Sequence, residues 1–301
     1  MHQPADPLSP PAVVKQIDAG DISIALECRG NSGAPPLLFL HGFPEHRGAW
    51  RKVALALAGE YYCLLPDLRG YGQSGRPTHT SAYHINKLLA DLDALVDACQ
   101  SVRPVLVGHD WGGVLAWWYA ALYPQKIERL IVANAPHPSL LQRRLIDTPE
   151  QRQASQYFRL LRQPDGAQYL LANGADGLWE RLFAHQPSLT PADRADYIAS
   201  WEIPGAMEAM IDWYRMAPFI VPAQDVPACV PDWALGSDLR VSVSTLILWG
   251  MNDTVFLPCL LEGLDEVAPS HRIERFEDAG HGIIHDAPDA LASAIREFCR
   301  S

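Results

Sequence analysis

The 301-residue chain has no apolar run long enough to span a bilayer, and it is short of positive charge. It carries 24 Lys and Arg against 35 Asp and Glu, a net charge of -11. That balance argues against nucleic acid and against anionic membrane surfaces as partners, so neither is expected. It is silent about a small neutral substrate, and the sequence does not set the oligomeric state. The six cysteines (Cys28, Cys63, Cys99, Cys229, Cys259, Cys299) form no Cys-x-x-Cys pair and have no metal-like spacing. No disulfide framework and no metal site is therefore expected, and the thiols should be reduced. Met1 to Pro11 is proline-rich and lacks the apolar core of a secretion signal. A loose tail and a cytoplasmic protein are the expectation. No internal repeat or low-complexity tract stands out. Composition is ordinary for a globular chain, at 48% hydrophobic and 20% charged, and the length suits one large domain with an insertion.

Short buried strands recur along the chain. Val13 to Cys28 reads as two antiparallel strands around a turn at Ala19-Gly20-Asp21. Leu37–Leu40, Tyr61–Leu65, Val105–Val107, Leu130–Asn134 and Thr245–Gly250 are continuous apolar runs, as strands covered on both faces are. His271–Phe276 is a weaker last strand. Helical stripes lie over Asn86–Cys99, Val114–Leu122 and Asp289–Cys299. This alternation predicts a mostly parallel central sheet with helices on both faces. Residues 139–230 break it, being helical in composition with no clear buried strand. The expected division is a core of residues 12–138 and 231–301 and a helical cap inserted at 139–230.

The stretch Gly108-His109-Asp110-Trp111-Gly112-Gly113 links the run ending at Val107 to the apolar helix after it. It has the G-x-S-x-G form of a nucleophile elbow with aspartate in place of serine. Gly108 and Gly112 let strand and helix approach closely, while the turn points Asp110 out of the sheet. Ligands of an open parallel sheet bind at the carboxyl ends of its strands. Asp253 and His281 follow two later strands there, giving the order nucleophile, acid, histidine. Taken singly, Asp253 could be a turn residue and His281 a loop histidine; the shared placement favours function. His281 would serve as base and Asp253 would hold its tautomer. The Phe43 and Trp111 amides are the expected oxyanion-hole donors. Pro44 would lock the Phe43 loop, with a cis Phe43-Pro44 bond open to it. His41 and Pro44 are expected beside the substrate pocket, His41 also serving its own loop. His137 has a weaker claim on the pocket, and His46, His79, His84 and His285 read as surface or loop residues.

An aspartate nucleophile narrows the chemistry. Attack on an ester carbonyl would give an anhydride, whereas attack on saturated carbon gives an alkyl ester that activated water can then hydrolyse. The substrate should carry a leaving group on such a carbon, either an epoxide oxygen or a halide. No step calls for a metal or an organic cofactor.

The segments HGFPEHRGAW (His41–Trp50), LPDLRGYGQS (Leu65–Ser74), GHDWGG (Gly108–Gly113), AMIDWYR (Ala209–Arg215), LWGMNDT (Leu248–Thr254) and DAGHGIIHDAP (Asp278–Pro288) resemble those of epoxide hydrolases in the α/β-hydrolase superfamily. The resemblance spans nearly the whole chain. It implies the α/β-hydrolase fold with a helical cap, and a small-molecule epoxide as substrate. It also implies two cap tyrosines that hydrogen-bond and protonate the epoxide oxygen. Tyr214 matches the second of these closely; Tyr157 matches the first less closely. Two features depart from close relatives. Gly282 stands where an aromatic often follows the histidine. Trp111 stands where fluoroacetate dehalogenases carry an arginine, which disfavours an anionic substrate. Haloalkane dehalogenases share that tryptophan and are the alternative, though they usually have asparagine at the Phe43 position and lack the tyrosine pair. A non-catalytic receptor on the same fold is a third reading.

Overall fold

The computed structural model describes residues 12–99, 102–186 and 188–301. The expectations for Met1–Pro11 lie outside the described residues. Among the described residues, eight strands form one sheet in the order β1-β2-β4-β3-β5-β6-β7-β8. They are β1 (Val13–Asp18), β2 (Ser23–Arg29), β3 (Pro36–Leu40), β4 (Tyr62–Pro66), β5 (Val105–His109), β6 (Arg129–Ala133), β7 (Thr245–Gly250) and β8 (His271–Phe276). Pairing is antiparallel for β1 with β2 and for β2 with β4, and parallel from β4 onward. The central strands are buried along almost their whole length, which explains why they read as unbroken apolar runs. At the edge, β8 is only half-buried, hence its weak signal.

Side chains alternate between the two faces of the sheet. Leu38 and Leu40 of β3 face one apolar cluster, while Leu37 and Phe39 face the other. α1 (Arg51–Leu57) covers the second face, and α2 (Ile85–Asp97) and α3 (Asp110–Leu122) cover the first. The periodicity reading did not pick out α1, which is only seven residues long, with Val53, Ala54 and Leu57 buried. Trp50, just ahead of it, is fully buried and donates its indole N–H to the Leu40 carbonyl at 3.0 Å.

Between β6 and β7 the described residues contain helices and no strand. These are α4 (Pro138–Asp147), α5 (Pro149–Ala154), α6 (Tyr157–Leu161), α7 (Gly166–Leu170), α8 (Gly174–Leu182), α9 (Pro191–Trp201) and α10 (Ala206–Met216). Polar side chains tie the later ones to loops at the carboxyl ends of β3 and β4. Trp201 Nε1 donates to the Pro44 carbonyl at 2.6 Å and Trp213 Nε1 to the Arg69 carbonyl at 3.0 Å. Three further helices, α11 (Leu264–Val267), α12 (Ile283–Asp286) and α13 (Pro288–Arg300), complete the chain. α13 packs Leu291, Ile295 and Phe298 beside α1 on the second face. No described helix is long and apolar enough to cross a membrane.

Candidate active site

The turn between β5 and α3 is tight because glycine permits it. A Cβ on Gly108 would stand 2.6 Å from the Gly112 carbonyl oxygen, so only hydrogen fits. Asp110 then takes φ of 49°, a left-handed conformation costly for a residue with a side chain. The carboxylate is 4% exposed yet lines a cavity of about 290 Å³. Its Oδ1 accepts the Phe43 N–H at 2.7 Å, and its Oδ2 lies 3.6 Å from His281 Nε2. Phe43 reaches this position on the loop after β3, where the Phe43-Pro44 peptide is cis. The Trp111 amide lies in the first turn of α3, where helix geometry supplies no carbonyl for it.

His281 Nδ1 donates to Asp253 Oδ2 at 2.9 Å. Asp253 is buried and fully engaged. Its Oδ1 accepts the Val255 and Phe256 amides at 2.7 and 2.9 Å, and its Oδ2 also accepts Asn134 Nδ2 at 2.7 Å. Burial opposes ionisation of Asp110. The hydrogen bond to His281, then the charges of His281 and His109, and last the Phe43 amide outweigh it, so the carboxyl is held below its ordinary range. Burial likewise opposes a charged His281, but the Asp253 and Asp110 carboxylates hold its imidazole well above the usual value. The three side chains form a charge-coupled set.

Across the cavity stand Tyr157 of α6 and Tyr214 of α10, with ring centroids 5.9 Å apart. Tyr214 meets Phe43 and Trp111 edge-on, each at 5.0 Å. Burial, and then the nearby Asp110 charge, push the Tyr157 phenol far above its ordinary value. For Tyr214 the causes are burial, then Tyr157, then Asp110. Both phenols therefore stay neutral and can donate. Phe43, Pro44, Leu161, Leu170, Leu182 and Val255 supply apolar wall.

His41 does not line this cavity. It is 1% exposed, its Nδ1 donates to the Gly42 carbonyl at 2.9 Å, and its Nε2 accepts the Leu68 amide at 3.0 Å. Nε2 thus joins the loops after β3 and β4, while Nδ1 is spent within its own loop. His137 is also buried away from the cavity, donating to the Leu239 carbonyl at 2.9 Å, and burial lowers its pKa to about 4. His46 and His285, read as surface or loop residues, are buried at 8% and 2% exposure; His46 does lie in the loop after β3, whereas His285 lies in α12. His285 was misread because its partners are distant in sequence: its Nε2 lies 2.7 Å from Glu45 Oε1. His79 and His84 are exposed.

Sequence reasoning gave no role to Asn134, Glu45, His109 or Tyr197. Asn134 is fully buried with φ of 38°. It accepts the Gly250 amide at 2.7 Å while donating to Asp253. Its one visible signal was a polar residue closing a buried strand at the carboxyl edge. Glu45 accepts the Tyr197 hydroxyl at 3.0 Å and faces His109 Nδ1 at 3.2 Å. His109 Nε2 donates to the His281 carbonyl at 2.8 Å, so this buried network reaches the histidine's backbone. A Cβ on Gly282 would stand 2.5 Å from Nε2 of Gln186, the far end of a flexible side chain that lies where a side chain at 282 would go. Among the described residues, no group of three or more His, Cys, Asp or Glu side chains converges as a metal site.

A family model for the alpha/beta hydrolase fold matches residues 35–154. Epoxide hydrolase 4 of Mus musculus is 30% identical over 281 residues, covering 90% of this chain and 74% of the relative. Epoxide hydrolase A of Mycobacterium tuberculosis is 28% identical, covering 94% and 95%. Among solved structures, a metagenomic epoxide hydrolase from hot environments superposes with a TM-score of 0.85 at 34% identity, covering 95% of this chain and 98% of that one. An epoxide hydrolase from Bacillus megaterium in complex with an inhibitor gives 0.85 at 26% identity, covering 95% and 100%. With this sheet order, this glycine-framed turn and identity along almost its full length, the chain belongs to the epoxide hydrolases of the α/β-hydrolase superfamily.

Proposed function

We propose that the protein hydrolyses epoxides to vicinal diols through a covalent ester on Asp110. One arrangement carries this reading: a carboxylate facing His281 on one side of a cavity whose other side holds two neutral phenols. Oδ2 of Asp110 attacks a ring carbon, forming a new C–O bond as the ring C–O bond breaks. The released electron pair goes to the ring oxygen, which takes a proton from Tyr214 or Tyr157. In the resulting ester, Oδ1 is the carbonyl oxygen and keeps its hydrogen bond from the Phe43 amide. His281 Nε2 removes a proton from water, and the water oxygen attacks the ester carbon. Charge builds on Oδ1 between the Phe43 and Trp111 amides. Collapse expels the diol oxygen, which takes the proton from His281, and the water proton left on the Asp110 carboxyl returns to the phenolate, restoring carboxylate and phenol. Asp253 holds the tautomer and balances the imidazolium charge.

In this reading residues 139–230 act as the cap that brings the two phenols over the core. The tyrosine pair suits a leaving oxygen that needs a proton, and the Phe43 side chain offers no donor to a halide, so the two together favour an epoxide over a halide. The test is diol formation from a panel of aryl and alkyl epoxides, with halide release from haloalkanes assayed in parallel. Diol without halide is expected; halide release without diol would replace the reading with dehalogenation.

A further inference from the structure

A second hollow reaches Asp110, and its size bears on what the cavity can hold. It shares only Asp110 and Tyr157 with the main cavity. Its other walls are Trp111, Val114, Leu141, Phe158, Phe219 and Phe256. The aromatic members pack on one another, with centroids 5.8 Å apart for Trp111–Phe158, 6.2 Å for Trp111–Phe219 and 6.4 Å for Phe158–Phe219. No space for even a water molecule remains inside, against about 290 Å³ in the main cavity. A further void beside Trp111 and Phe219 holds about 20 Å³, little more than one water.

An epoxide presents two ring carbons, and trans substituents on them diverge. With the ring oxygen at the phenols and one carbon against Asp110, a substituent directed at the closed hollow finds no space, while one directed into the main cavity does. We infer that the protein takes terminal epoxides and rejects trans-1,2-disubstituted ones. The single substituent, apolar or aromatic, lies in the arm lined by Leu161, Leu170, Leu182 and Val255. A close-packed wall has no slack for an added methyl group, because its side chains already fill the space in contact. This inference rests on the reading of Asp110 as nucleophile.

The test compares kcat/KM for phenyloxirane and trans-2-methyl-3-phenyloxirane, and for a matched alkyl pair. The terminal member should be favoured by about 100-fold, the scale of discrimination a tight apolar wall supplies. Leu141→Ala and Phe219→Ala each open the closed hollow and should cut that ratio to about tenfold or less. Thermal unfolding establishes that the variants fold; Leu141→Val and Phe219→Leu serve if the larger truncations do not. Equal turnover of both members by the unaltered protein would overturn the inference and leave epoxide hydrolysis standing. An unchanged ratio in folded variants would overturn it too, since the hollow would not be what discriminates. No diol from any epoxide would sink the epoxide reading itself, and this inference with it.

Discussion

Asn134 and His281 hydrogen-bond the same oxygen, Oδ2 of Asp253, at 2.7 and 2.9 Å. The amide therefore fixes the acceptor on which the histidine depends. Removing it by Asn134→Ala should cut turnover by about one to two orders of magnitude, as losing a supporting hydrogen bond does. Asn134→Gly should lose the same bonds but relieve the left-handed backbone. It should be more stable than the alanine variant by roughly 1 kcal/mol, read by denaturant unfolding. Equal stability of the two would mean the backbone there stores no strain.

Asp110→Ala should abolish turnover while the fold survives. A lost nucleophile costs several orders of magnitude, so activity at even about a tenth of the original would remove Asp110 from that role. In a single turnover in heavy-oxygen water with enzyme in excess, the diol should stay mostly unlabelled and the label should enter the peptide holding Asp110. His281→Gln should accumulate an adduct heavier by one substrate. Label arriving directly in the diol, with no adduct, would make Asp110 a base acting on water.

Tyr214→Phe should slow ring opening strongly, and Tyr157→Phe should do so as well if both phenols donate. Rapid-quench measurement of alkylation separates this step from ester hydrolysis. An unchanged alkylation rate in the double variant would reduce the pair to packing.

The pH dependence should differ between the two half-reactions. In the free protein the Asp253 and Asp110 carboxylates both raise the His281 pKa against burial. Esterification neutralises Asp110 and removes one of those charges. His281 should then lose its proton at lower pH in the adduct than in the free protein, becoming a base once the ester forms. Adduct breakdown should fall as pH drops through that lower value, and NMR of the His281 ring in the free protein should titrate above it. Coincident values would show that Asp110 and His281 are uncoupled.

Gly282 and Gln186 should behave as one unit, since the amide fills the volume a side chain at 282 would need. Gly282→Phe should lower both stability and activity, and Gln186→Ala should recover part of that loss. A coupling of roughly 0.5–3 kcal/mol is expected for groups sharing space. Strict additivity would show that Gln186 yields freely.

The amino-acid sequence by itself determined most of the sheet. Buried strands such as Leu37–Leu40 and Thr245–Gly250 are apolar on both faces, a pattern readable without neighbours. It also marked Asp110, because the glycines around it answer a local steric need. The strand order, with β4 outside β3, was not legible, because pairing partners are chosen by packing between segments distant in the chain. Nor was the burial of His285, whose partner Glu45 lies 240 residues away. The space beside Gly282 was filled by Gln186, from a segment that no local pattern connects to it. Asn134 shows the limit most plainly: a polar residue ending a strand carries no meaning until the loop after β7 folds against it and presents Asp253 to its amide. Local patterns record what one element needs from its own backbone and from burial; which side chains meet across elements is set only when the whole sheet closes its packing.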